Sequence, residues 1–190
     1  MLMRHGETEW SASRRHTSYT DLDLLDAGVE QAKALATAVA GHAFVAVISS
    51  PRRRALRTAE LAGLTPTEVT EDLAEWNYGE YEGVTTADIH RHSPQWSLWT
   101  DGAPGGEMPD EIGRRVDAVL DRVAPLLDGG DVAFIAHGHS LRVVGARWVG
   151  LPAAGGGLLR LDTATISVLG FEHGRRAIRR WNAPPVPGLF

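Results

Sequence analysis

Apolar positions follow two alternating rhythms along the chain. Unbroken apolar runs at 44–48 (Phe44, Val45, Ala46, Val47, Ile48) and at 132–136 after Asp131 predict buried strands. Helical spacing of Val29, Ala32, Leu35, Ala36 and Val39 predicts a helix over 27–40, with Asp26 as its cap. Ile112, Val116, Val119, Leu120 and Val123 predict another over 109–127. Ser49-Ser50-Pro51 reads as a helix start, with Ser50 as cap and Pro51 in the first turn. Shorter helices are expected over 84–92 and 140–149, and shorter strands at Leu2-Met3, 67–70, 165–171 and 177–181, the last two around a His173-Gly174 turn. Only three residues precede Arg4, so the first strand is expected to be clipped or to begin upstream. Strands and helices alternate, which predicts an α/β sheet with helices on both faces.

The segments between these elements differ in kind. Residues 10–26 are polar and irregular, and predict a long loop over a site. Residues 72–83 mix aromatics and glycines, as in a packed loop. Residues 94–107 suit a lid that governs substrate choice, although Trp96 and Trp99 read equally well as core, the better assignment for at least one. The glycines at 155–157 lack the Lys-Ser/Thr ending of a phosphate loop, and the tail at 184–188 is expected to be loose. No repeat, low-complexity tract or boundary interrupts residues 1–190, which predicts a single domain.

Composition narrows the function. With 43% hydrophobic and 23% charged residues, the 190-residue chain has ordinary globular usage. A net charge of -5 gives no general attraction to nucleic acid. The absence of cysteine excludes disulfides, thiolate metal sites and a cysteine nucleophile. No apolar run approaches a membrane span and the N-terminus lacks a signal-peptide layout, so a cytoplasmic protein without membrane partners is expected.

The first strand breaks abruptly into Arg4-His5-Gly6, where Gly6 lets the chain turn sharply. An imidazole beside a guanidinium repels cations and suits a phosphate. The second buried strand ends similarly, in His137-Gly138-His139. Arg52, Arg53 and Arg54 open a helix whose positive end disfavours them, a conflict that a bound anion would resolve; a solvated basic face, the commoner fate of a charge run, is the other reading. Glu75, among Trp76, Tyr78 and Tyr81, would be desolvated and kept protonated as a general acid must be; on these residues alone, one of several loop carboxylates is the better reading. Glu82 reads as structural. His137 and His139 have a spacing that can share a metal, but the nearby arginines argue against a cation.

Arg4-His5-Gly6-Glu7-Thr8-Glu9-Trp10 resembles the signature of the histidine phosphatase superfamily, the phosphoglycerate-mutase-like proteins. Ser50 to Ala59, Leu73 to Gly83, and His137-Gly138 resemble its later motifs, in the family's order. The resemblance runs from Leu2 to about Trp181 and implies a three-layer α/β/α sandwich with a mostly parallel central sheet. It implies His5 as nucleophile, Glu75 as general acid and base, and Arg4, Arg54 and His137 on the phosphate. Arg52, Arg53 and Arg57 fall outside that register. Ser11 stands where many members place an asparagine, and Thr17 matches a small hydroxyl position, so both are expected on phosphate. His139 is expected either to touch substrate or to cap the next helix.

The short spacing between the Glu75 and His137 motifs favours a phosphatase over a cofactor-dependent phosphoglycerate mutase. His16-Thr17-Ser18 together with Glu75-Trp76-Asn77-Tyr78-Gly79 looks most like actinobacterial acid-phosphatase members. The expected activity is therefore metal-independent hydrolysis of a small phosphorylated substrate, without a cofactor, by a monomer or homodimer. A non-catalytic phosphate-binding protein is the other alternative; the presence of both His5 and Glu75 argues against it.

Overall fold

The structure, a computed structural model, describes residues 1–188. In chain order it contains β1 (Leu2–Arg4), α1 (Glu9–Ala12), α2 (Asp26–Val39), β2 (Phe44–Ser49), α3 (Arg53–Leu61), β3 (Glu68–Val69), α4 (Thr86–His90), α5 (Leu98–Asp101), α6 (Pro109–Val123), β4 (Asp131–Ala136), α7 (Gly138–Trp148), β5 (Ile166–Glu172) and β6 (Arg175–Ala183). The strands form one six-stranded sheet in the order β3-β2-β4-β1-β5-β6. Pairings from β3 to β1 are parallel, and the β1-β5 and β5-β6 pairings are antiparallel. A crossover helix permits each parallel pairing, whereas a tight turn at His173-Gly174 suffices for β5-β6.

Strand alternation sorts the core into two layers. Leu2, Ile48, Val132 and Phe134 face Ile112, Val116, Val119, Leu141 and Val144 of α6 and α7. Met3, Val47, Ala133 and Ile135 face Leu35 and Val39 of α2 and Ala55 and Ala59 of α3. Each fully buried Leu, Ile or Met side chain contributes about 1.5–3 kcal/mol. Helices thus cover both faces of a mostly parallel sheet, as a three-layer α/β/α sandwich.

Several local expectations need correction. Asp26 is the first helical residue of α2, and Leu25 occupies the cap without a side-chain bond. Ser50 does not cap α3 either; Arg52 does so by position, and the Ser50 hydroxyl turns toward His137. The loop from residue 10 contains α1, closed by a reciprocal Thr8–Ser11 capping box. The glycine stretch is helical, a 3-10 segment over Ala153–Leu158, because it packs against α7 and around Trp99. Pro184 to Gly188 lie beyond β6 and are mostly exposed, while residues 189–190 of the expected tail fall outside the described residues. Gly6 does not have a positive φ. A Cβ there would stand 2.3 Å from the Gly28 carbonyl oxygen, so close approach of β1's end to α2 is what demands glycine.

Candidate active site

Register brings the two histidines together. Arg4 pairs with Ala136 across β1 and β4, and the His5 amide donates to the Ala136 carbonyl at 3.0 Å. His5 and His137 therefore leave adjacent strand ends side by side, with ring centroids 5.2 Å apart. Ser49 pairs with Ile135, which sets Ser50 beside them. Open parallel sheets place ligands at this carboxyl edge.

Hydrogen bonding decides the tautomer of each ring. His5 Nδ1 lies 2.7 Å from the Gly6 carbonyl oxygen, which only accepts. The proton of the neutral ring is on Nδ1, leaving a lone pair on Nε2. Burial first, then Arg54 and Arg4, holds the His5 pKa well below the ordinary histidine value. His137 has the opposite arrangement. Arg54 Nε can only donate, and it lies 3.2 Å from His137 Nδ1. The proton is therefore on Nε2, which donates to Ser50 Oγ at 2.6 Å. Burial is also the main cause of the low His137 pKa, helped by Arg54.

Glu75 is buried at the start of α7. Its Oε1 accepts the Trp76 and Ser140 amides at 2.9 and 2.8 Å, and its Oε2 accepts the His139 amide at 3.0 Å. Backbone donors thus surround the carboxylate, where aromatic rings were expected. Oε1 has both acceptor directions engaged; Oε2 keeps one for a transferring proton. Arg115 of α6 holds this loop through the Asp72, Ala74 and Glu75 carbonyls while paired with Glu107 at 2.8 Å.

A cavity of about 560 Å³ opens at this edge, with Arg4, His5, Glu75, Tyr78 and His139 in its wall. Arg4 Nη1 donates to the Leu161 carbonyl at 2.6 Å, whereas its Nε is buried without a partner. Tyr78 and His139 are joined at 2.5 Å between hydroxyl and Nδ1. Ser11 and Thr17 line the cavity, but Ser11 Oγ is engaged in the capping box and Thr17 Oγ1 donates to the Arg15 carbonyl. Arg54 and His137 are fully buried and lie behind the wall instead of on it. The Arg54 guanidinium donates to the Thr17, Ser18 and Thr20 carbonyls, tying the long loop to His137.

The basic start of α3 resolves its conflict within the protein. Asp21 accepts the Arg53 amide, Arg52 pairs with Glu71, and Arg57 pairs with Glu60. No bound anion is needed there. Glu82 serves the fold as expected, accepting from the Ser18 amide and hydroxyl and the Thr20 amide. Half-burial pushes its pKa up, but these hydrogen bonds outweigh that and leave it lowered.

No residue of the expected lid lines the cavity. Trp96 and Trp99 pack against the core instead. The wall includes Arg14, Arg15, Arg142 and Arg160, which sequence reasoning passed over, and His16, which it used only as a mark of resemblance. His16 is buried against Tyr78, 4.7 Å between centroids, with Nδ1 unpartnered. The adjacent pair Arg14-Arg15 in the long loop was an available signal; nothing in the sequence brought Arg142 or Arg160 to the same cavity.

Comparison with known proteins places the chain in a family. The family model described as the histidine phosphatase superfamily (branch 1) matches residues 1–184. An acid phosphatase of Mycobacterium tuberculosis is 46% identical over 181 residues, covering 94% of this chain and 89% of that protein. Sedoheptulose 1,7-bisphosphatase of Saccharomyces cerevisiae is 34% identical, covering 80% of this chain and 67% of that protein. The solved structure of open reading frame Rv3214 from Mycobacterium tuberculosis superposes with a TM-score of 0.94 at 43% identity, over 97% of both chains. The chain belongs to branch 1 of the histidine phosphatase superfamily.

Proposed function

We propose that this protein is a metal-independent phosphatase of the acid phosphatase type, hydrolysing small phosphate monoesters through a phosphohistidine on His5. The observation that carries the reading is the His5 ring itself. Its Nδ1 proton is tied to the Gly6 carbonyl, its Nε2 lone pair is free, and its lowered pKa keeps that lone pair available below the ordinary histidine range. Arg4, which lines the cavity with His5, supplies an anion contact beside it.

In the proposed reaction His5 Nε2 attacks phosphorus as the ester P–O bond breaks. Glu75 gives a proton to the departing oxygen. Water then attacks the phosphohistidine, the N–P bond breaks, and Glu75 takes the water's proton. Arg4 contacts the transferring group. One layer behind the wall, Arg54 contributes positive field, and the neutral His137 ring, held between Arg54 and Ser50, contributes placement. The N-terminus of α7 adds its dipole on the same side.

Phosphate release from p-nitrophenyl phosphate in EDTA, from acidic to neutral pH, tests the reading. Wild type is expected to turn over, and His5→Ala to lose at least about a thousandfold in kcat. Activity near wild type in that variant, or its abolition by EDTA in wild type, overturns the mechanism. Isomerisation of phosphoglycerate without phosphate release would identify a mutase.

A further inference from the structure

The cavity is too large and too basic for a phosphate group alone. Its volume of about 560 Å³ falls in the range that encloses a whole small organic molecule. Arg4 and the field of Arg54 already serve the phosphoryl end. The wall nevertheless carries four further arginines, Arg14, Arg15, Arg142 and Arg160. Its carboxylates are Glu7, Glu75 and Asp162, and Asp162 is paired with Arg160. The other three arginines have no carboxylate partner among the described residues. This excess of positive charge stands on a chain whose net charge is -5.

Of these three arginines, Arg14 and Arg15 are exposed and Arg142 is held by the protein. Arg14 has φ 58°, the left-handed region, which is uncommon for a residue with a side chain. It is the left-handed residue that ends α1, with the Arg14 amide donating to the Ser11 carbonyl at 3.3 Å and the Arg15 amide to the Trp10 carbonyl at 2.8 Å, and both exposed side chains line the cavity. Neither side chain has an ion-pair partner among the described residues. Arg142 is anchored instead: its guanidinium stacks 4.4 Å over Trp99 and donates to the Gly156 and Gly157 carbonyls. An anchored guanidinium with a free Nη1 loses little entropy on meeting an anion.

We propose that the substrate carries a second anionic group, a carboxylate or another phosphate, on the leaving-group side, and that Arg14, Arg15 and Arg142 receive it. This rests on the phosphatase reading above, in which the first phosphate sits between Arg4 and His5. A general electrostatic funnel is the competing explanation, and it favours every anion alike.

The test uses matched pairs that differ in that one charge: 3-phosphoglycerate against glycerol 3-phosphate, and fructose 1,6-bisphosphate against fructose 6-phosphate. In wild type kcat/KM is expected to favour the doubly anionic member by at least tenfold, and the ratio to collapse toward one in the Arg14→Gln/Arg15→Gln double variant. A wild-type ratio near one, or a ratio that survives in the variant, overturns the proposal. Turnover of p-nitrophenyl phosphate by wild type reports separately on the phosphatase reading. If wild type releases no phosphate from any ester, calorimetric binding of the same pairs to wild type and variant decides the question by the same ratios.

Discussion

His5 and His137 show how two identical side chains acquire different chemistry from their partners. A carbonyl beside Nδ1 leaves His5 with an outward lone pair, while a guanidinium beside Nδ1 turns His137 the other way and commits its Nε2–H to Ser50. Glu75 belongs to the same scale. Its carboxylate is held at the start of α7, and its Oε2 has room for one proton. In Glu75→Gln the donor for the leaving group is gone. The loss in kcat/KM is expected to be about 10²–10⁴ for an alkyl phosphate and clearly smaller for p-nitrophenyl phosphate, whose leaving group needs little protonation. Equal losses on both esters would remove Glu75 from the acid's role. The sequence singled out His5, Arg4 and Glu75. It missed the work of Ser50, because the bond to His137 spans 87 positions and exists only after β2 and β4 pair.

At the scale of elements, the site depends on how closely β1's end meets α2. Gly6 and Gly28 approach each other so nearly that a Cβ on either would fall within 2.3 Å of backbone oxygen. The Gly6 amide also donates to Thr58 Oγ1 of α3, which donates in turn to the Arg54 carbonyl. Gly6→Ala is therefore expected to destabilise by about 1–3 kcal/mol through overpacking and to move His5. Urea denaturation followed by tryptophan fluorescence measures it; an unchanged midpoint would show that α2 shifts freely. Strong periodicity made α2, α6, β2 and β4 legible in the sequence. The short pieces were less so. α1 is four residues long and is held by its Thr8–Ser11 box, and α5 is set by the packing of Leu98 and Trp99.

For the whole molecule, the chemistry of the site has a cost in stability. His5, His137 and His139 have pKa values well below the ordinary one and His16 is also lowered, with burial the first cause in each. Above about pH 6.5 both folded and unfolded chains hold these rings neutral, and they add no pH dependence. Below it the unfolded chain binds protons that the folded chain does not. Stability is therefore expected to fall as pH drops from about 6.5 toward the folded values. Urea midpoints at pH 7.5 and 5.5 check this; equal midpoints would contradict it. The depressed pKa that keeps His5 nucleophilic in acid is thus one that weakens the fold there. Among the described residues no helix is long and apolar enough to cross a membrane, in keeping with the sequence.

The sequence by itself determined the alternation of strands and helices, the two apolar faces of the sheet, and the residue types that meet at its carboxyl edge. Those are local properties, carried by periodicity and by motifs a few residues long. Tertiary structure alone decided which of those residues face the cavity. It withdrew Arg54 and His137 behind the wall, kept the expected lid off the cavity with Trp96 and Trp99 against the core, and gathered Arg14, Arg15, Arg142 and Arg160 from distant segments. The physical reason is that burial, tautomer and charge density depend on neighbours in space, and chain order does not specify those until the sheet registers are set.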